Sequence, residues 1–347
     1  MNSLTVALAS LGGVVLAGVV AHGAWTARKA GPKRATAPTS RDEPREPVLD
    51  EVAPEPSGEA SPDELAALRP ARRYAPRLDA LLDALATLTI EAPISGDMVQ
   101  GHLPATRRVG SKVLLIEGLN AETGDWEAPV AGARYSQFQA GVQLANRTGA
   151  LNEIEYSEFV QRVQAFADAI AAMVDVPDML EVMARARELD AFAGQHDAQL
   201  AVHLHARAAA WSVGYIQQHA RRQGFVPGVV AGRLILPSRD EGAPPVLTLT
   251  FDSQAALADQ PDVAAVRDVT LTFDVPQTDP SAEPFAAWQA AAQTLATDMD
   301  AEIVDDNGRP LSPEGFVGIG TELGKLYEAL AARDLAAGSS AARRLFS

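Results

Sequence analysis

The sequence of 347 residues contains no cysteine. This absence excludes a disulfide framework, thiolate metal sites and cysteine nucleophiles, and it is compatible with a reducing compartment. Aromatic residues make up only 5% of the chain, so few large side chains can anchor a core. Hydrophobic residues nevertheless reach 47%, which is ample for packed structure over most of the chain.

Positive charge is also scarce. The 29 Lys and Arg residues against 45 Asp and Glu residues give a net charge of −16, which repels a phosphate backbone and argues against nucleic-acid binding. Neither G-x-S-x-G nor G-x-x-x-x-G-K-[ST] occurs. His203 and His205 form an H-x-H pair without a third ligand nearby, which favours surface histidines over a metal site. We therefore predict no enzyme, cofactor, metal or small-molecule substrate.

The N-terminal segment lacks charge and proline from residue 4 to residue 21. Extended to Trp25, it approaches the roughly 20 residues that cross a bilayer core. Basic residues follow it at Arg28 and Lys29 and none precedes it, which places the N-terminus in the periplasm and the rest in the cytoplasm. We predict a transmembrane anchor over residues 1–27 that contacts the lipid bilayer through residues 4–25, and hence a single-pass protein of the bacterial inner membrane.

A cleaved signal peptide is the alternative interpretation of this segment, with cleavage after Ala21. It would make the chain a secreted or periplasmic α+β protein, either a hydrolase or a ligand binder. A signal peptide carries its positive charges before the apolar run, whereas here they follow it. The order of charges therefore favours the anchor.

Four further regions follow the anchor. Residues 28–66 are rich in proline and charge and are expected to form a disordered linker, because they cannot bury enough surface to fold. Residues 67–194 and 195–335 are expected to form two α+β domains, and residues 336–347 a flexible tail.

Strand and helix patterns alternate through these domains. Period-2 alternation or apolar runs predict strands at residues 85–90, 113–117, 138–145, 200–205, 233–236, 246–251, 269–275 and 301–305. Helices are predicted at residues 153–173, 179–192, 211–223 and 282–299, and from Ser312 onward. Asn152 with Glu155, and Asp178 with Glu181, have the spacing of N-terminal capping boxes. The patterns predict an α+β fold whose sheets have one buried face.

The order of elements repeats along the chain. In each half, a strand leads through a loop into a long helix, and a second helix follows. This order suggests a degenerate internal duplication in which two related α+β units meet near Gly194. The suggestion rests on element order and not on similar residues.

Several motifs resemble those of the ZipA family of bacterial cell-division proteins. The segment from Ala21 to Lys29 resembles the family's membrane anchor, and the chain from Gln199 to about Leu330 resembles its C-terminal domain. The motifs in that domain are Gln217-Gln218 with Gly224-Phe225, the run Val269-Thr270-Leu271-Thr272-Phe273-Asp274-Val275-Pro276, and Glu302-Ile303-Val304-Asp305-Asp306 followed by Arg309, Leu311 and Ser312-Pro313. The resemblance implies a split β-α-β fold, in which helices cover one face of an antiparallel sheet. It also implies a tether that links the FtsZ ring to the inner membrane at the division septum.

The resemblance also implies a binding site, because the family binds the C-terminal tail of FtsZ on the open face of the sheet. Strand alternation predicts that this face carries Ala201, His203, Ile235, Thr248, Thr250, Thr270 and Thr272. Arg309 matches a basic position of the family and is expected to meet an acidic residue of the tail. The face is more polar than the family's groove, and threonines there are equally typical of strand residues that face solvent. Residues 67–194 have two alternative roles, as a second binding unit or as a spacer.

Overall fold

A computed structural model describes residues 77–240, 242–258 and 265–347. The predicted anchor (residues 1–27) and the predicted linker (residues 28–66) lie outside these ranges. Within them, every helix is too short or too polar to cross a membrane. The described residues belong to one compact unit.

The first half of the described chain contains eight strands and three helices. In chain order they are β1 (Asp83–Ser95), α1 (Gly96–His102), β2 (Arg108–Val109), β3 (Lys112–Asn120), β4 (Trp126–Glu127), β5 (Arg134–Gln143), β6 (Ala145–Asn146), β7 (Gly149–Ala150), α2 (Glu153–Ala169), β8 (Met173–Asp175) and α3 (Met179–His196).

The second half begins at Gln199 and again alternates strands with helices. Its elements are β9 (Gln199–Ala206), α4 (Val213–Arg222), β10 (Val226–Pro227), β11 (Arg233–Leu236), β12 (Leu247–Thr250), α5 (Ser253–Leu257), β13 (Asp268–Asp274), a 3-10 turn (Pro280–Ala282), α6 (Pro284–Met299), β14 (Ala301–Val304), α7 (Pro313–Ala331) and α8 (Ser340–Leu345).

Capping residues set several of the helix starts. At α2, the Asn152 side chain accepts from the N–H of Glu155 while the Glu155 carboxylate accepts from the N–H of Asn152, which confirms the predicted capping box. The Asp178 side chain caps α3 and the Ser312 side chain caps α7, at the predicted positions. The predicted helix over residues 153–173 ends early, because Ala171 adopts a φ of 52° and the chain then enters β8.

Two antiparallel sheets organise the fold, which confirms the α+β class. The first sheet has the order β2-β3-β5-β1-β8, with β4 paired to β3, and the second has the order β10-β11-β12-β13-β9-β14. Helices α2 and α3 cover one face of the first sheet, and helices α4, α6 and α7 cover one face of the second. Each sheet thus has one face in a hydrophobic core. The opposite face is open in the second sheet, whereas in the first sheet Leu115 and Glu117 on that face are buried.

The two sheets share one topology. When β1, β2, β3, β5 and β8 are matched to β9, β11, β12, β13 and β14, the strands occur in the same order in sequence and in the same order across the sheet. All of the pairings in both series are antiparallel. In both sheets a long helix lies between the last two strands of the series: α2 lies between β5 and β8, and α6 lies between β13 and β14. This agreement supports the internal duplication suggested by element order.

The C-terminal residues return to the first core. Ala342, Leu345 and Phe346 are fully buried in the cluster that also contains Phe159 of α2. The flexible tail predicted for residues 336–347 is therefore wrong: the segment forms α8 and packs on the first sheet. The prediction failed because only two large apolar side chains carry the contact, too few to show a helical pattern.

Candidate functional site

The open face of the second sheet is formed by alternate residues of its strands. Leu249 of β12, Leu271 of β13 and Leu204 of β9 are fully buried in the core on the opposite face. Their neighbours in sequence therefore point to the open side. The predicted residues on this side are Ala201, His203, Ile235, Thr248, Thr250, Thr270 and Thr272, all of them only partly buried. The structure brings these seven residues onto one face.

Threonines form the centre of this face. Thr248 of β12 lies directly opposite Thr272 of β13, and Thr250 lies opposite Thr270. The Thr272 hydroxyl donates to the Thr248 carbonyl oxygen at 3.3 Å. The same register places Ala201 beside Thr272 and His203 beside Thr270 on β9. The result is a flat centre that presents methyl and hydroxyl groups side by side.

His203 has partners for both of its ring nitrogens. Its Nδ1 lies 3.1 Å from the Thr270 hydroxyl oxygen and its Nε2 lies 2.9 Å from Asp306 Oδ1. The neighbouring His205 pairs with Asp268, with its Nε2 3.4 Å from Oδ1. Among the described residues no group of three or more His, Cys, Asp or Glu side chains is placed to hold a metal. The two histidines thus lie in polar contacts at one margin of the face.

The opposite margin is more apolar than the sequence predicted. Val226 of β10 pairs with Ile235 of β11, which in turn lies opposite Thr248. Val226 is 43% exposed, so it extends the face with an accessible aliphatic side chain. Sequence reasoning missed this residue because a strand of two residues, the second of them Pro227, gives no alternation to detect.

Arg233 is a second residue that the sequence interpretation missed. It lies opposite Thr250, and its Nη2 donates to the Thr248 hydroxyl at 3.4 Å. The alternation of Arg233 with the predicted Ile235 could have identified it, since residues two apart on a strand share a face. It adds an exposed cation to the apolar margin.

Arg309 lies in the turn that follows β14, which is the edge strand paired with β9. Its backbone N–H donates to Asp305 Oδ1 at 2.8 Å, and its carbonyl accepts from the Asp305 N–H at 2.9 Å. The N–H of Arg309 lowers the pKa of the Asp305 carboxyl below its ordinary value. These bonds fix the turn and leave the Arg309 side chain exposed.

Asp274 connects the end of β13 to the first half of the chain. Arg147 lies in the β6–β7 turn and its Nη2 contacts Asp274 Oδ2 at 2.7 Å and Asp197 Oδ1 at 2.5 Å. Burial raises the pKa of Asp274, and the bond from Arg147 opposes this rise. The ion pairs tie the strand that carries Thr270 and Thr272 to the rest of the fold.

Comparison with known proteins gives one result over this region. Residues 257–319 match the family model described as ZipA, C-terminal FtsZ-binding domain. The match confirms the resemblance to that family, and its range contains β13, α6, β14 and the start of α7. Of the predicted site residues it includes Thr270, Thr272 and Arg309. A search of curated proteins gave no match for the chain.

Proposed function

Because residues 257–319 match the ZipA C-terminal domain, we propose that the chain binds FtsZ and acts as an adaptor in bacterial cell division. In this proposal, the open face of the second sheet receives the C-terminal tail of FtsZ. The predicted anchor over residues 1–27 holds the complex at the inner membrane. The observation that carries the proposal is the coincidence of the matched segment with the strand at the centre of the open face, β13.

The face has the properties that an extended peptide needs. Ile235 and Val226 offer aliphatic contact at one margin, and the threonine centre is flat enough for a backbone to approach. Hydroxyl groups and His203 offer hydrogen-bond partners that fix register. Apolar contacts would supply affinity and the polar groups would supply orientation.

Cations that an acidic peptide could meet lie at both margins of the face. Arg233 lies at the margin formed by β11, and Arg309 lies beyond β14. Asp268 and Asp306 lie near the histidines, so the β14 margin carries mixed charge. A rim arginine contributes mainly to the association rate and to orientation. We therefore assign Arg233 and Arg309 to acidic residues of the tail.

The membrane part of the proposal rests on the sequence alone. The uncharged segment before Arg28 and the basic residues after it support a single span with the folded part in the cytoplasm. In that compartment the folded part would meet FtsZ, which is a cytoplasmic filament protein.

A flotation experiment tests both parts separately. The full chain is reconstituted into lipid vesicles, mixed with FtsZ, and floated on a density gradient; FtsZ without its C-terminal tail is the matched control. We expect the chain to float with the vesicles and to carry intact FtsZ but not the truncated form. A chain that stays at the bottom would refute the anchor. A floating chain that leaves FtsZ behind would refute tail binding.

A further inference from the structure

The common topology allows the faces opposite the two cores to be compared residue by residue. In the first sheet Thr87 of β1 lies opposite Asp175 of β8, as His203 of β9 lies opposite Val304 of β14. When Thr87 is equated with His203, Leu85 is equivalent to Ala201 and Gly141 of β5 is equivalent to Thr272.

The equivalence extends to the next strand of each sheet, where Leu115 is equivalent to Thr248 and Glu117 to Thr250. The first sheet therefore has its own version of the face proposed to bind FtsZ.

A segment of the chain itself lies on this face of the first sheet. A Cβ atom built on Gly141 would lie 2.3 Å from Leu78 Cδ2 and 3.0 Å from Leu85 Cδ2. The Leu78 side chain thus rests directly on the centre of the first sheet, in space that only a glycine leaves free. Gly141 occupies the position where the second sheet has Thr272.

The backbone of this segment is also held by the face. The N–H of Leu78 donates to Glu117 Oε1 at 3.1 Å, and Gln139 Nε2 donates to Glu117 Oε2 at 2.9 Å. Glu117 is only 5% exposed, so its carboxylate is committed to these two partners. The segment thus makes a backbone hydrogen bond to the face and inserts a side chain into a gap, and such bonds and pockets are the contacts by which peptides are recognised.

Two arginines fix the remainder of the segment. Arg344 Nη1 donates to the Arg77 carbonyl at 2.7 Å, while its Nη2 donates to Asp83 Oδ1 at 2.6 Å. Arg77 Nη2 reaches the Trp126 carbonyl at 3.1 Å on β4. The segment is therefore attached to the sheet on one side and to the C-terminal helix on the other.

From these contacts we infer that the face of the first sheet opposite the core is a second peptide-binding face, and that residues 77–79 of the chain are its resident ligand. The Leu78 side chain enters the gap over Gly141, and the turn at residues 80–82 then leads the chain into β1. This role goes beyond FtsZ binding, because it gives the first half of the fold a peptide-binding function of its own. It also predicts that the first sheet is closed to peptides in solution while its own segment is bound, since a tethered segment has an effective concentration in the millimolar range.

Release of the segment tests the inference. We would purify the full chain as wild type and as Leu78→Asp, and titrate each into a fluorescently labelled synthetic peptide of residues 70–81. The wild type is expected to show no saturation, because its own segment blocks the face. Leu78→Asp is expected to bind the peptide saturably and at least tenfold more tightly than the wild type. The matched control is Leu257→Asp, since Leu257 is 73% exposed in the second half and should behave as wild type.

A second variant separates the glycine gap from general loosening of the fold. Gly141→Val in the Leu78→Asp background fills the gap and should reduce peptide affinity at least tenfold, while circular dichroism shows that both variants remain folded. Equal binding by the wild type and Leu78→Asp, or no binding by either, would overturn the inference. Binding that survives Gly141→Val would also overturn it. The probe comes from this chain, so the result is independent of whether FtsZ binds.

Discussion

Thr272 lies directly opposite Thr248, and its hydroxyl donates to the Thr248 carbonyl oxygen at 3.3 Å. This bond turns the Thr272 side chain toward its neighbour strand and leaves a flat centre on the second sheet. The equivalent position of the first sheet is Gly141, over which Leu78 packs. One position of a common topology thus carries a covered glycine in one sheet and an accessible threonine in the other.

Thr272→Glu is expected to weaken binding of the FtsZ tail peptide at least tenfold. The longer, charged side chain removes the flat centre and adds negative charge to a chain that already carries −16. Fluorescence anisotropy measures the affinity. Thr294→Glu is the matched control, because Thr294 is an exposed residue of α6 on the helical side. An equal loss of affinity in both variants would show that the effect is not specific to the face.

Arg309→Glu is expected to weaken tail binding about threefold at low salt, with the difference shrinking as salt is added, because exposed charges act over roughly 10 Å at 0.1 M ionic strength. Stopped-flow kinetics should show that the association rate carries the change. The same substitution at Arg187, which is exposed on α3, provides the control. A salt-independent loss would contradict the rim role assigned to Arg309.

Tyr327→Phe is expected to increase the free energy of unfolding by about 1 kcal/mol. The Tyr327 hydroxyl is buried without a hydrogen-bond partner among the described residues, and the ring packs against both cores. Urea unfolding at pH 7 measures the difference. A destabilised variant would show that the hydroxyl makes a favourable bond.

The same residue predicts a change in alkaline stability. Burial raises the pKa of Tyr327 to about 12 from an ordinary value of 10.0, so the folded state binds this proton more tightly than the unfolded state. The associated stability is present below pH 10 and is lost as pH rises from 10 toward 12. Tyr327→Phe should therefore lose less stability than the wild type over that range. Parallel alkaline unfolding curves would contradict this assignment.

Arg344→Ala is expected to destabilise the fold by about 3 kcal/mol, because it leaves a buried carboxylate without its cation. Asp83 is 1% exposed and the Arg344 side chain 13% exposed. Burial raises the pKa of Asp83 and Arg344 lowers it, so the cost should grow as pH rises and Asp83 ionises. Lys325→Ala breaks an exposed pair with Glu322 and should leave stability unchanged. Similar small effects in both variants would contradict the importance of burial.

The sequence predicted the long, regular elements well. Strands such as β12 and β13 alternate strictly, and helices such as α2 and α7 begin at a polar cap, so local physics alone identifies them. Seven of the eight predicted site residues share one face for the same reason, because alternation fixes which side chains point together once the strands are known.

The contacts that connect distant parts of the chain could not be predicted in this way. The docking of Leu78 over Gly141, the return of Phe346 to the first core and the two-residue strand that carries Val226 all depend on tertiary packing. None of them leaves a local periodic pattern. Element order suggested an internal duplication, but the strand order of the two sheets and the register that equates Gly141 with Thr272 required the paired strands.

Photo-crosslinking of the FtsZ C-terminal tail to the full chain tests the central claim most directly. The tail peptide would carry a benzophenone residue at successive positions, and the cross-linked residues would be mapped by mass spectrometry. We predict cross-links on the open face of the second sheet, in residues 199–206, 226–236, 247–250 and 268–274, and their loss in Thr272→Glu. Cross-links confined to the helices or to the first sheet would contradict the assignment of the FtsZ site.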